Sequence, residues 1–253
     1  MRLENKIAVI TGSARGLGRA FALRFAREGA KLTICDILDC APVAGEIKAA
    51  GGEVLILKTD ITSEKDTADM AKKTFERFGR IDILVNNAAA IGGIDNPDFV
   101  KPVDQMVSKD WDRYLNVNIK GTFLCCQAVM PYMKKQGKGS IVNIASTAGF
   151  NGSPAFLHYS TSKGAVMTMT RGLATALGDY SINVNAVAPG VVMTESMRAL
   201  GRGVDGIQMM ASQIIKRSIQ PEDIAAAVVF LASDEAAMIT GQILAVNAGE
   251  YLH

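Results

Sequence analysis

Histidine is scarce: His158 and His253 are the only two in 253 residues, which excludes a multi-histidine metal centre. Cysteine is scarce too. Cys35, Cys40, Cys125 and Cys126 make one adjacent pair and two scattered residues, which match neither a disulfide framework nor zinc-ligand spacing. They predict reduced, structural thiols in a cytoplasmic protein and no metal. No apolar run reaches the roughly 18 residues of a membrane span, so no membrane partner is expected. The first residues, Met1 to Lys6, show no signal-peptide hydrophobic region before a globular pattern begins. Neither sign of charge dominates: the net charge is +2 with both signs interspersed, which leaves no field for nucleic acid. Nor is there a Pro/Ser-rich linker to divide the chain. What remains, 49% hydrophobic and 21% charged, suits a compact protein with a sizeable core and predicts one domain over 1–253.

Apolar runs at 6–11, 31–36, 53–58, 81–86, 140–145, 181–188 and 241–246 predict seven strands. Helical patterns fall between them, ending near 29 and covering 41–50, 63–78, 109–135, 159–178 and 221–233. A loop rich in Gly, Pro and Asp spans 91–108, and a methionine-rich segment spans 191–216. Strand and helix alternating without a break predict an α/β fold: a single doubly wound, Rossmann-type domain with a seven-stranded parallel sheet and helices on both faces. Such sheets bind ligands beyond the carboxyl ends of their strands.

Each candidate for chemistry lies at such an end or in the loop after it. Gly12, Gly16 and Gly18 form a Gly-x-x-x-Gly-x-Gly turn between the first strand and helix. Glycines there allow close backbone approach to a pyrophosphate, which a helix N-terminus favours electrostatically. Asp36 ends the second strand, eighteen residues after Gly18. A carboxylate in that place accepts hydrogen bonds from ribose hydroxyls and repels a 2′-phosphate, which predicts NAD. Arg15, a cation in the glycine loop, pulls toward NADP; Asp36 is expected to prevail because an exposed Arg can swing away. Tyr159 and Lys163 are four apart, on one helix face. A tyrosine has a pKa of about 10, and a nearby ammonium lowers it, which would make an acid/base group usable near neutrality. Taken alone, that spacing more often marks a tyrosine packed on a lysine stem.

Together these residues resemble the short-chain dehydrogenase/reductase family over nearly the whole chain. The likeness runs through the Thr11 to Gly18 loop, Asp60-Ile61, Asn86-Asn87-Ala88-Ala89, Asn118 in Val117-Asn118-Ile119-Lys120-Gly121, Ser146, Tyr159, Lys163 and Pro189-Gly190. The resemblance implies that Tyr159 is the general acid/base, and that Lys163 lowers its pKa and holds the nicotinamide ribose. It implies that Ser146 holds the substrate oxygen and that Asn118 holds a water in the proton relay. It also implies a cofactor lined by Gly12, Arg15, Gly16, Leu17, Gly18, Asp36, Asp60, Ile61, Asn87, Ala88 and Ala89, with Pro189, Gly190, Val192 and Thr194 on the nicotinamide side. Two departures stand out. Ala89 replaces the usual glycine of Asn-Asn-Ala-Gly, which is tolerable if its φ is negative. Val246-Asn247-Ala248-Gly249 replaces Val-Asp-Gly-Gly.

Residues 191–216 occupy the place of the family's substrate lid. Met193, Met197, Leu200, Met209, Met210, Ile214 and Ile215 predict an apolar, adaptable pocket. Phe150, Phe156 and Leu157 point the same way. No Arg/Lys cluster is placed for a charged substrate. The expected small-molecule substrate is an uncharged, fairly hydrophobic secondary alcohol and its ketone, of aryl-alkyl or cyclic type. The alternatives are a 3-oxoacyl thioester reductase, whose carrier-protein partner would need a basic patch such as Lys134, Lys135 and Lys138, and an inactive nucleotide sensor. The helices at 109–135 and 159–178 resemble the pair that packs between subunits in this family, so a homotetramer is expected.

Overall fold

The computed structural model describes residues 1–91, 99–199 and 212–252. Seven parallel strands run in the order β3-β2-β1-β4-β5-β6-β7. They are β1 (Ile7–Thr11), β2 (Lys31–Asp36), β3 (Val54–Lys58), β4 (Ile83–Asn86), β5 (Gly139–Ile144), β6 (Ile182–Pro189) and β7 (Ile243–Val246). Between them lie α1 (Gly16–Arg27), α2 (Ala41–Ala49), α3 (Glu64–Phe78), α4 (Ser108–Tyr114), α5 (Thr122–Gln136), α6 (Ala148–Asn151), α7 (Leu157–Leu177), α8 (Glu195–Ala199) and α9 (Pro221–Ala232).

The central strands carry apolar side chains on both faces, so each face needs a cover of helices. Ala8 and Ile10 of β1 point to one side, where Phe21 and Phe25 of α1, Ile47 of α2 and Val228 of α9 pack on them. Val9 points to the other, toward Met70 of α3, Cys125 and Val129 of α5 and Leu177 of α7. All four cysteines are buried free thiols; burial pushes those of Cys35, Cys40 and Cys126 up to about 12, so they act as small apolar groups. Among the described residues no helix is long and apolar enough to cross a membrane.

The strand order reverses direction between β1 and β4, and the carboxyl ends of those strands open a crevice at the switch point. One element departs from its expectation. The helix read over 109–135 is α4 and α5 joined by a π-helical stretch, Leu115–Gly121. The wider turn shifts every later side chain around the axis, and it contains Asn118. Expected residues Leu200, Met209 and Met210 of the lid, and residues 92–98 of the long loop, lie outside the described residues.

Candidate active site

The glycine turn is built by exclusion of side chains. A Cβ on Gly18 would stand 1.9 Å from the Gly12 carbonyl oxygen, and one on Gly12 would stand 2.7 Å from the Ala88 Cα. Gly12 and Gly16 also sit at φ 67° and 56°. The turn is tied to β4 by Asn87, whose Nδ2 donates to the carbonyls of Thr11 (3.0 Å) and Gly12 (2.9 Å). The Thr11 hydroxyl accepts the amides of Asn87 and Ala88. Helix α1 opens with no side-chain cap from Arg15 and no acidic residue in its first turn. Its leading amides therefore face an anion without competition from a carboxylate. Asp36 ends β2 beside the turn. Its Oδ2 accepts the Ala14 amide and its Oδ1 the Leu38 amide, each at 3.0 Å, which fixes the carboxylate beside the glycine turn.

The lining continues through Asp60, whose Oδ1 accepts the amide and hydroxyl of Thr62. Ile61 is buried against the π-helical stretch, where a Cβ on Gly121 would meet its Cδ1 at 2.7 Å. Ala89 does not have positive φ, so the condition for replacing the usual glycine is met; Ala248 has φ 54°, a strained value for a residue with a Cβ. On the far wall the Gly190 amide donates to Val246, and Thr147 donates to the Pro189 carbonyl, which sets Pro189-Gly190 beside the Ser146 turn. Val192 pairs with Ile219. The Thr194 hydroxyl accepts the Met197 amide, and its Cγ2 lies 3.8 Å from a Cβ built on Gly16, so this wall meets the glycine turn across the crevice. A backbone cradle closed to side chains, an uncapped helix start and an anchored carboxylate together fit a dinucleotide.

The chemical groups converge at the ends of β4 and β5. Ser146 follows β5; its hydroxyl accepts the Ala148 amide at 3.2 Å and lies on the side of the Tyr159 phenol. Lys163, one turn on, has its Nζ 5.8 Å from the centre of the Tyr159 ring, and it donates to the Ile144 carbonyl at 2.7 Å. Burial lowers the Lys163 ammonium to about 8. Burial pushes the Tyr159 phenol up, opposed by the nearby Ser146 hydroxyl. The expected lowering of Tyr159 by Lys163 is absent from this geometry, because the ammonium is turned to a backbone carbonyl while the phenol is desolvated. Asn118 is 1% exposed and donates to Ser162 (2.9 Å) and to the Ala90 carbonyl (3.1 Å). Its Oδ1 accepts the Ala90 amide at 2.7 Å. The side chain thus locks the β4 loop onto α7, and what it leaves for a water is its main-chain carbonyl, which also accepts the Thr122 hydroxyl.

Around Tyr159 stands a group of rings that joins the expected Phe156 to Phe99 and Tyr114, which no sequence spacing announced. Phe99 and Phe156 stack with centroids 5.3 Å apart, and both meet the Tyr159 ring edge-on, at 5.4 and 6.3 Å. Tyr114, fully buried, meets it edge-on at 6.2 Å from behind and stacks on His158 at 4.1 Å. Tyr114 precedes Asn118 by four residues, the one local signal that both face α7. The remaining apolar expectations divide. Phe150 stacks instead on Tyr251, at 5.6 Å. Ile214 and Ile215, expected in the pocket, are 64% and 60% exposed, because their amides both bond the Ala248 carbonyl and the chain there turns its side chains outward.

A family model described as enoyl-(acyl carrier protein) reductase matches residues 12–250. The chain is 42% identical to the (2S)-((R)-hydroxy(phenyl)methyl)succinyl-CoA dehydrogenase subunit BbsD of Thauera aromatica, covering 100% of this chain and 99% of that protein. It is 38% identical to the 3-oxoacyl-(acyl-carrier-protein) reductase FabG of Thermotoga maritima, over 98% and 99%. Among solved structures it superposes on levodione reductase with a TM-score of 0.88 at 32% identity, covering 98% of each chain. The chain belongs to the short-chain dehydrogenase/reductase family. As a short-chain dehydrogenase/reductase it is an oxidoreductase acting on CH–OH and carbonyl groups with a nicotinamide cofactor.

Proposed function

We propose that this enzyme is an NAD-dependent dehydrogenase of hydrophobic secondary alcohols, of aryl-alkyl or cyclic type. The observation that carries this reading is the partly exposed Phe99–Phe156 slab beside Tyr159, which offers an aromatic or alicyclic group a stacking surface next to the acid/base. Such contacts contribute about 1 kcal/mol each beyond burial. Ser146 and Tyr159 point their hydroxyls at one oxygen of the substrate. Ser146 donates to it as charge develops there, and Tyr159 takes the alcohol proton, or returns it to a ketone. Lys163, held at the Ile144 carbonyl, presents its ammonium to ribose hydroxyls, while Asn118 keeps the loop at Ala90 and the start of α7 in register. The bound nicotinamide supplies hydride acceptance. Gly12, Arg15 to Gly18, Asp60, Ile61 and Asn87 to Ala89 line the cofactor, with Pro189, Gly190, Val192 and Thr194 at its reactive end. Asp36 selects NAD, and oxidation is the working direction.

A second reading, reduction of 3-oxoacyl thioesters, is favoured by the Thermotoga maritima relative. The Thauera aromatica relative is named for a substrate that carries both a hydroxy(phenyl)methyl group and a CoA thioester. Against a carrier-protein partner stands the position of the basic run. Lys134 rides on the Tyr180 ring and Lys138 pairs with Asp234, at the amino end of β5, whereas Ser146 lies past its carboxyl end. A panel of benzylic and cyclic secondary alcohols, 3-hydroxyacyl-CoA thioesters and 3-oxoacyl carrier proteins, each with NAD(H) and NADP(H), separates the readings. Turnover confined to NADPH and acyl thioesters would overturn the first. Tyr159→Phe should abolish turnover with NADH affinity nearly intact; a substantial residual rate would remove Tyr159 from its role. We also propose a homotetramer packed through α4–α5 and α7, which a sedimentation mass of one or two chains would refute.

A further inference from the structure

Tyr159 is held by more than the groups that touch its hydroxyl. It stands in the first turn of α7, where backbone amides have no partner within the helix, and the N-cap residue Phe156 supplies no side-chain cap. The residue beside it supplies one instead. His158 Nδ1 accepts the Tyr159 amide at 2.7 Å. Only a neutral imidazole with its proton on Nε2 can do this. The ring is 1% exposed, clamped on Tyr114 at 4.1 Å and near Phe99 at 6.0 Å. Both of those rings also lie edge-on against the Tyr159 side chain. His158 therefore touches the acid/base twice, once through the backbone and once through the packing behind it.

The structure assigns His158 as a positioning residue for Tyr159, in which loss of the neutral imidazole acceptor displaces the first turn of α7 and with it the phenol. This inference rests on Tyr159 being the acid/base proposed above. Protonation puts an N–H on Nδ1, opposite another N–H at hydrogen-bonding distance, and the clamped ring cannot turn away without moving Tyr114 or Phe99. The charged and titratable groups facing the ring are Asp110 and Lys101, paired with each other at 3.0 Å, and the phenols of Tyr114 and Tyr159. Burial keeps the imidazole below its ordinary value of 6.5; Lys101 adds to this, and Asp110 and the Phe156 carbonyl oppose it. The neutral form thus holds at and above neutrality and is lost only in acid.

The test uses ketone reduction, because there Tyr159 works protonated and contributes no acid limb of its own. The wild-type kcat with NADH should fall as pH drops below 6.5. His158→Leu, which has no acceptor, should run about fivefold below the wild-type rate above neutrality, the worth of one hydrogen bond, and show no acid limb, with KM and NADH affinity little changed. His158→Asn places an acceptor at the same δ position without a titratable proton. It should recover most of that loss and abolish the acid limb. An acid limb kept in His158→Asn, or a His158→Leu enzyme at full rate, would overturn the assignment. If His158→Leu folds poorly, the pH profile of His158→Asn alone decides. Failure of Tyr159→Phe to abolish turnover would instead overturn the acid/base reading, so the two failures are distinguishable.

Discussion

Substituting Gly18 by Ala puts one methyl into the tightest place in the cofactor crevice. Its Cβ would be 1.9 Å from the Gly12 oxygen and 2.6 Å from Asn87 Nδ2. The amide of Asn87 can swing aside, but the Gly12 carbonyl is backbone. Ordinary contact begins at 3.4 Å, so α1 must back away from β1 by about 1.5 Å. The same methyl pushes Asn87 Nδ2 aside and breaks its two bonds, at 3.0 and 2.9 Å, that tie the turn to β4. Two hydrogen bonds at about 1 kcal/mol each, with about 1–3 kcal/mol for overpacking, give roughly 3–5 kcal/mol. For a chain of this size that lowers Tm by about 10 °C or more. Misplacing the leading amides of α1 by an ångström should also weaken NADH binding by about 100-fold. Gly16→Ala is the control. Among the described residues its Cβ has only Thr194 within reach, at 3.8 Å, so its cost is the positive φ of 56°, about 1 kcal/mol or about 3 °C. Differential scanning fluorimetry and NADH fluorescence titration measure both effects. If Gly16→Ala loses as much Tm as Gly18→Ala, steric exclusion does not shape the turn and the reasoning fails.

Asp36→Ala should move the ratio of NADH to NADPH affinity at least about tenfold toward NADPH, by removing a ribose acceptor and a repulsion; an unchanged ratio counts against that carboxylate. Lys163 yields a pH dependence of stability. Its ammonium is lowered to about 8 from 10.5, so between those values the unfolded chain holds a proton that the folded chain has released. Stability relative to Lys163→Met should therefore rise as pH goes from 8 to 10.5, by up to about 3 kcal/mol; a Tm difference that stays flat from pH 7 to 10 would refute the burial. Ala248→Gly should relieve the strain at φ 54° and raise Tm by about 2 °C, with a fall in Tm as the contrary result.

The strands were legible because each is a short apolar run bounded by turn residues, and a strand covered on both faces leaves that mark in one dimension. Asp36, Ser146 and Pro189-Gly190 were legible for a related reason: each is placed by the strand it ends. The helix over 109–135 was read without its π-helical stretch. Seven residues of altered hydrogen bonding leave the apolar composition unchanged, and only the position of Asn118 against Ala90 and Ser162 reveals them. Ile214 and Ile215 are placed by the pairing of their amides with the Ala248 carbonyl, a contact between distant segments that apolar composition does not carry.

By itself the sequence determined the order of the sheet's elements, the glycine turn, and the spacing of Tyr159 from Lys163, because these depend on local backbone geometry. Tertiary structure alone decided which side chains surround the phenol and where the Lys163 ammonium points. Phe156 stands three residues before Tyr159, but Phe99 and Tyr114 come from separate segments, and their meeting at Tyr159 depends on how α4 and α7 pack, which no spacing along the chain encodes. The same packing half-buries Tyr159 and buries Lys163, and desolvation, a property of the folded surroundings, moves the phenol up and the ammonium down.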